Sequence, residues 1–322
     1  MSPGSSMATT APDVKVMATT TTRKRRRLRK NTLPLHLMLI PAVILTIIFK
    51  YGPMFGVIIA FQQFSPVKGI ERSPWIGLDN FRYALNMPTT ERVIQNTLII
   101  AIGKIILGLI VPLVVALMLN ELRRNWSKRT IQTAVYLPHF LSWVILGGIM
   151  IEILSPSRGI VNDVLGIFGF GPIYFLGDNS WFQPTLILSH VWKEFGFNTV
   201  IYLAALTGID PALYEAAMVD GASRIRQAIN ITLPGLRPII ILLATLSLGS
   251  VLDAGFEQVL VLYSPQVYPT GDIVDTMVYR MGLIQAQYGV ATAIGLAKSL
   301  VSLVLISVAY WTAYKFAQYR IF

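Results

Sequence analysis

A chain of 322 residues that is 54% hydrophobic and only 13% charged departs from the roughly 25% charge of soluble domains, and its mean hydropathy of +0.59 assigns it to a membrane. The absence of cysteine excludes disulfides, thiolate nucleophiles and cysteine zinc sites, and three scattered histidines (His36, His139, His190) leave little for a metal or catalytic cluster. The net charge of +11 invites a nucleic-acid reading, but seven of the 27 basic residues lie in Arg23–Lys30 beside the first apolar run, which is a topology signal.

Residues 1–30 are Ser, Thr, Ala and Met-rich and then basic, with no apolar periodicity, and read as a disordered cytoplasmic tail. The apolar run from Leu33 continues past Phe49, longer than the core of a signal peptide, so the tail is expected to be retained. Six segments, about 33–63, 94–120, 130–154, 183–206, 236–263 and 291–316, offer the roughly 20 residues a helix needs to cross about 30 Å of hydrocarbon. The expectation is an all-α membrane protein whose single six-span domain covers residues 31–322. Span one carries Lys50 and then Gly52-Pro53; proline removes a backbone donor, which predicts a kinked or strongly tilted helix.

With the N-terminus inside, the inner segments hold sixteen Lys and Arg against six in the outer ones, so both termini are expected in the cytoplasm. Among the inner ones are Arg123, Arg124, Lys128, Arg129, Arg224, Arg226, Arg237, Lys315 and Arg320. Two outer loops, 64–93 and 264–290, are long and carry aromatics such as Trp75, Tyr263 and Tyr268. They read either as a docking surface or as belt residues at the headgroup level.

The segment between spans four and five is the most legible. Asp210 can accept from the free amides of a helix start, Pro211 suits the first helical position, and Glu215 lies near enough to that start to favour the helix dipole. Gly221 supplies a left-handed stop, and a second helix over 223–233 leads to Pro234 and the membrane. The first helix, 211–220, contains no Lys or Arg, unlike most helices that lie on lipid, so it reads as built to dock into a groove.

Ionisable groups near the bilayer centre cost on the order of 3 kcal/mol on insertion scales and are functional candidates by default. Span four carries His190, Lys193, Glu194 and Asn198, and 190, 194 and 198 recur at helical spacing as a stripe that would line a wet cavity. Lys104, Asp253, Glu257 and Lys298 complete the candidate pathway set, with Trp143, Trp192, Tyr263 and Gln258 as secondary sugar-facing candidates. The alternative is internal pairing of Lys104 or Lys298 with Glu194, Asp253 or Glu257. Four lysines (50, 104, 193, 298) face four acids (152, 194, 253, 257), so counting charge does not demand an anionic cargo. No P-loop, H-E-x-x-H or G-x-S-x-G pattern appears, and neither a catalytic residue nor a metal site is expected.

Glu215-Ala216-Ala217, then Gly221, then Ile231 and Leu233-Pro234 resembles the EAA loop of the membrane subunits of bacterial ATP-binding-cassette importers. Leu137-Pro138, Gly159-Ile160-Val161-Asn162, Trp75-Ile76-Gly77-Leu78-Asp79-Asn80-Phe81 and Phe49-Lys50-Tyr51-Gly52-Pro53 resemble the carbohydrate branch, the last two its permeases for complex oligosaccharides. The resemblance implies a MetI-like type I importer permease fold in the bacterial inner membrane. It also implies a second, homologous permease subunit, two cytoplasmic ATPase subunits that carry ATP and Mg, and a periplasmic solute-binding protein. The cargo it suggests is an oligosaccharide, alginate foremost; lipid surrounds the spans, nucleic acid plays no part, and this chain itself binds no cofactor. Glu215, Ala216, Ala217, Met218, Asp220 and Gly221 become the expected contact with the ATPase. The rival is a secondary transporter needing no ATPase, whose sign would be broken helices at corresponding positions of two halves; only one strong break, in span one, is evident from the sequence.

Overall fold

The computed structural model describes residues 33–122, 124–249 and 251–317; the tail read as disordered, and Arg123 and Arg320 of the charge argument, lie outside them. Among the described residues the secondary structure is helical apart from an isolated bridge between Gln62 and Trp75. Two compact units divide the chain, Met1–Met54 and Phe55–Phe322.

The first unit contributes helix α1 (Leu33–Thr46), apolar around its whole circumference, as a lipid-embedded helix is. At Ile47–Tyr51 it widens into a π-turn, and the Gly52 amide bonds to the Ile47 carbonyl five residues back. Pro53 has no amide to give, and one wider turn lets the winding pass the missing bond. The distortion expected at Gly52-Pro53 is thus a change of winding.

The second unit opens with a 3-10 segment, Phe55–Phe61, followed by α2 (Asp79–Asn86) and the 31-residue α3 (Thr90–Asn120). The segment expected as one span over 130–154 is two helices, α4 (Asn125–Tyr136) and α5 (Trp143–Ile153), joined by a 3-10 turn at Leu137–Phe140. The chain bends by 102° there. Pro138 withholds a donor, and the Ser142 side chain accepts from the Ile145 amide, so a new helix is capped where the old one stops. A short α6 (Ile160–Ile167) leads to α7 (Asn179–Leu206) and then to α8 (Pro211–Val219).

The expected helix 223–233 does not stop at Pro234. Residues Arg224–Gln227, a π-turn at Ala228–Thr232 and α9 (Leu233–Gly249) run on as one helix, with the Leu233 amide reaching back to Ala228. This is the device seen at Pro53, used again one residue before a proline. Span five, expected to continue to 263, ends at Gly249; residues 251–255 are unwound and α10 (Phe256–Leu262) begins afresh after Gly255, whose φ is +89°. After α11 (Val274–Tyr279) and a π-turn at Arg280–Ile284, α12 (Tyr288–Ala317) closes the fold.

By length and apolarity, His36–Phe61, Thr90–Asn120, Arg224–Gly249 and Tyr288–Thr312 can cross a membrane, with the bent pair Trp126–Phe140 and Trp143–Ile153 as a fifth candidate. The remaining expected span is α7, whose 28 residues reach about 42 Å but whose polar residues keep it out of that set.

The core is built around α3 and α7. Ile100, Ala101, Phe182, Leu186, Ala254, Val259 and Ile273 form one buried cluster, and Ala116, Tyr202, Leu206 and Leu236 a second nearer the α8 end. At the opposite end the two long loops are fastened down. Asn80 donates to the Ala60 and Gln62 carbonyls at 2.9 and 3.0 Å, and Asn96 to those of Pro269 and Asp272 at 3.1 and 3.2 Å. In hydrocarbon, helices associate by close packing rather than by exclusion of water, and Gly196 of α7 lets the end of α4 approach until a Cβ there would lie 2.0 Å from the Val135 carbonyl oxygen. Gly196→Val is therefore expected to push α4 off α7 at a cost of about 1–3 kcal/mol, read as a lower thermal transition of the detergent-solubilised protein.

Candidate functional site

Lys104 sits in the middle of α3 with 6% of its surface exposed. Its Nζ donates to the Ala254 carbonyl and to Gln258 Oε1, both at 2.5 Å. Gln258 is fully buried, and its Nε2 donates to the Leu186 carbonyl and Ser189 Oγ of α7, each at 2.8 Å. One lysine thus joins α3, the unwound stretch 251–255, α10 and α7. The unwinding frees carbonyls that lipid cannot satisfy, and the ammonium satisfies one. Gly255 is needed there twice over: its φ is left-handed, and a Cβ would lie 2.8 Å from Lys104 Nζ.

Beside this knot lies a cavity of about 300 Å³ lined by Lys104, His190, Asn198, Ser247 and Asp253, among others. His190 Nδ1 is buried without a hydrogen-bond partner, and Trp143 stacks on the imidazole at 6.3 Å. Two members of the expected stripe, His190 and Asn198, do line a cavity. Glu194, between them, turns away.

Glu194 belongs to a second cluster at the break in span three. Lys193 Nζ donates to the His139 carbonyl and to Glu194 Oε1, both at 2.9 Å, and the other Glu194 oxygen lies 2.7 Å from His139 Nδ1. A carboxylate only accepts, so Nδ1 carries the proton. The His139 ring lies flat on Phe197 at 4.2 Å, and Lys193 stands 5.7 Å above the Trp143 ring. The cluster staples the bend at 137–142 to α7, and Lys193, expected on the pathway, is buried within it.

Lys298 pairs with Asp275 at 2.5 Å rather than with any of the acids proposed for it, because α11 packs on α12. Asp253 lies in the unwound stretch and Glu257 in the first turn of α10, both exposed. Of the secondary candidates, Gln258 is structural, Trp143 covers His190, Tyr263 lies 5.0 Å from Tyr268, and Trp192 is half-exposed. Sequence reasoning missed the Arg280–Asp272 pair, with contacts of 3.0 and 2.5 Å, to which Thr276 adds a hydroxyl at 2.7 Å. Asp272 raises the Arg280 guanidinium above its ordinary value through those bonds. The i, i+4, i+8 spacing of Asp272, Thr276 and Arg280 was the available signal.

At the far end, α8 is built as expected. Asp210 accepts from the Ala212 amide at 2.9 Å and Pro211 occupies the first turn. Gly221 has φ +73° and the Ala222 amide bonds back to the Ala217 carbonyl at 2.8 Å, a Schellman stop. The Tyr214 hydroxyl meets Thr232 Oγ1 at 3.0 Å, fixing α8 to the π-turn before α9, and Arg224 pairs with Glu121 at the end of α3. Glu215, Ala216, Met218 and Asp220 are exposed, and Leu213 and Val219 add apolar surface at 52% and 88% exposure.

Residues 105–318 match the family model described as "Binding-protein-dependent transport system inner membrane component". The chain is 40% identical over 302 residues to the polygalacturonan/rhamnogalacturonan transport system permease protein YteP of Bacillus subtilis, covering 93% of this chain and 94% of that protein. It is 42% identical to Protein LplB of the same organism, over 89% of this chain and 91% of the relative. Among solved structures it is similar to a chain of a bacterial ABC transporter involved in the import of the acidic polysaccharide alginate, with TM-score 0.82, 41% identity and coverage of 89% and 97%. It is similarly close, with TM-score 0.81, 40% identity and coverage of 89% and 96%, to a chain of a bacterial alginate ABC transporter in complex with an alginate pentasaccharide-bound periplasmic protein.

Two substitutions test the site's construction. Lys104→Met leaves the Ala254 carbonyl and Gln258 Oε1 buried without their donor, at about 1–3 kcal/mol for each stranded group, and is expected to lower the thermal transition of the purified protein by several degrees. Lys193→Ala is expected to reduce the yield of folded protein through loss of the staple; any transport assigned to this chain, measured per folded molecule, should stay near normal. A loss of transport with folding intact would return Lys193 to the pathway.

Proposed function

Because the chain belongs to the family of binding-protein-dependent transport system inner membrane components, we propose that it forms half of the pathway of an ATP-driven importer of acidic oligosaccharides, with alginate as its first-named cargo. A second, homologous permease completes the pathway, two cytoplasmic ATPase subunits bind ATP and Mg, and a periplasmic solute-binding protein delivers the glycan. This chain has no catalytic role. Both termini face the cytoplasm, residues 31–322 form one six-span domain, and residues 208–234 form the coupling loop.

The observation that carries the reading is the build of α8. A helix of nine residues is capped at both ends, anchored through Tyr214 to the π-turn before α9 and joined to α7 by a short turn, while Leu213, Glu215, Ala216, Met218 and Val219 stand exposed. Such an element moves as a rigid piece. Ala216 and Ala217 let it sit deep in a cleft of the ATPase, Met218 and Leu213 supply apolar grip, and Glu215 and Asp220 supply polar contacts at the rim. Closure of the ATPase pair draws α8, and with it α7 and α9. The pathway on this reading runs past Asp253 and the cavity at Lys104, His190 and Asn198. The cargo follows from two relatives: one is named for a galacturonan, a polymer of uronic acid, and the other for alginate.

The secondary-transporter alternative loses ground, although breaks are more numerous than the one expected. The one expected in span one is a change of winding, and the breaks fall in spans three and five; in a chain of two three-span halves these positions do not correspond to one another, as repeats would require.

Gly221→Phe forces a bulky side chain into a left-handed turn, and Glu215→Lys reverses a charge on the docking face. In proteoliposomes holding the whole importer, each is expected to cut uptake at least tenfold while ATP hydrolysis persists; normal uptake by both would remove the coupling assignment. Because the chain has no native cysteine, Met218→Cys provides a clean orientation test: a membrane-impermeant maleimide should reach it only from the cytoplasmic side.

A further inference from the structure

A second, larger cavity lies elsewhere in the same unit. It measures about 800 Å³ and sits between the 3-10 segment, α10, α11 and α12. Three aromatic rings line it, Phe256, Tyr279 and Tyr288, the first two 5.7 Å apart. Asp253, Asp275 and Lys298 line it as well, with Ser299 beside them. Neither the coupling helix nor the Lys104 knot uses these rings.

Position and chemistry both narrow the occupant. Tyr288 opens α12 at the end of the molecule where the long loops are fastened, and Ser299 lies eleven residues further along, about 16 Å at helical rise and so near the middle of a bilayer about 30 Å thick. Two carboxylates and an ammonium at that depth are too costly to face lipid. The ammonium is paired with Asp275 at 2.5 Å, yet it has three protons to give and the carboxylates retain lone pairs for further donors. Flat apolar rings set among carboxylates and a cation match the aspects of a uronate pyranose: a C–H face that packs on an aromatic ring, hydroxyls that donate to the carboxylates, and a carboxylate that accepts from the remaining protons of the Lys298 ammonium. A purely apolar chain would use only the rings, and a metal ion would use none of them. Asp253 also lines the cavity at Lys104, so the two spaces share a wall, one reaching toward the loops and the other toward mid-bilayer.

We infer that the cavity lined by Phe256, Tyr279, Tyr288, Asp253, Asp275 and Lys298 is an outer sugar subsite, which holds pyranose units of the incoming oligosaccharide before they pass Asp253 into the inner cavity. The inference rests on the import reading and names a site within it.

The test uses the assembled importer with its binding protein, carrying Ser299→Cys in this cysteine-free chain. The introduced thiol is expected to react with a water-soluble maleimide added from outside, and alginate oligosaccharide with the loaded binding protein and ATP should slow that reaction at least fivefold. Adding Tyr279→Ala should abolish the protection without changing the rate of labelling in the absence of sugar; Tyr279→Phe, which keeps the ring, should restore it. If the thiol is unreactive, the partner subunit or lipid fills the cavity and the inference fails. If it reacts equally with and without sugar while the wild-type importer takes up the oligosaccharide, the subsite is wrong and the import reading stands. Failure of the wild-type importer to take up any acidic oligosaccharide under ATP would remove that reading itself.

Discussion

The fold depends on how broken helices are satisfied where water is absent. A backbone that stops being helical inside hydrocarbon strands its carbonyls, and each stranded group costs as much as a lost hydrogen bond. This chain meets that cost with lysine. Lys104 donates to the Ala254 carbonyl at the break in span five, and Lys193 donates to the His139 carbonyl at the break in span three. In each case the ammonium is itself buried, at 6% and 7% exposure, so the bond resolves two problems together: a desolvated cation and an unpaired acceptor. Neither lysine could be exchanged for a neutral residue without leaving the other half of the problem. The charged groups that composition marks as anomalous are therefore the fastenings of the bundle as much as features of its interior.

Those fastenings converge on α7. It receives the bend of span three through Lys193, Glu194 and Phe197, and the knot of span five through Leu186 and Ser189, and it leads through a short turn into α8. Its small residue Gly196 admits α4. The Thr199 and Tyr202 hydroxyls donate to the Pro112 and Leu109 carbonyls of α3, each at 3.3 Å, around the turn where Pro112 withholds an amide. A helix so tied on several sides has little freedom to bend along its length. On the import reading this is what a transmission rod requires: displacement of α8 cannot be lost in flexing, and must appear at the elements fastened to α7.

What could be read from sequence, and what could not, follows the range of the interactions involved. Helix α8 was legible to the residue because its determinants are local: Asp210 caps, Pro211 starts, Gly221 stops, each acting within a turn of its own position. The long apolar runs of α3 and α12 were legible because hydropathy averages well over an unbroken helix. The same averaging hid the breaks at 137–142 and 251–255, since the apolar content continues through them while the direction of the chain does not. Pro138 with Ser142, and Gly255, carried the information, but each is also compatible with an intact span. Pro234 erred in the other direction, being read as an end where a π-turn absorbs it. The partners of the charges read as intramembrane could not be found from sequence: Lys298 finds Asp275, which sequence reasoning had left in a loop, and Lys104 takes a carbonyl and an amide rather than an acid. Pairing is settled by which helices meet, and nothing in a single sequence states that.

Spans two, four and six, as read from the sequence, correspond to the unbroken helices α3, α7 and α12, while span one changes its winding and spans three and five are interrupted. Continuous helices resist local change, because altering them means breaking intrahelical bonds; a broken helix can swing one half about the other at the cost of a few capping bonds, each worth about 1.5–3 kcal/mol when it involves a charge. An alternation of rods and hinged elements therefore lets rigid displacement of the rods be absorbed at defined points. In this chain two of those points, 137–142 and 251–255, are held by single lysines, and the second borders both cavities through Asp253. Motion delivered at α8 and carried by α7 would reach the wall between the two cavities through the same Gln258 that ties α7 to Lys104. On the import reading, Lys104, which satisfies the broken backbone, would through Gln258 also connect the site of force to the site of passage.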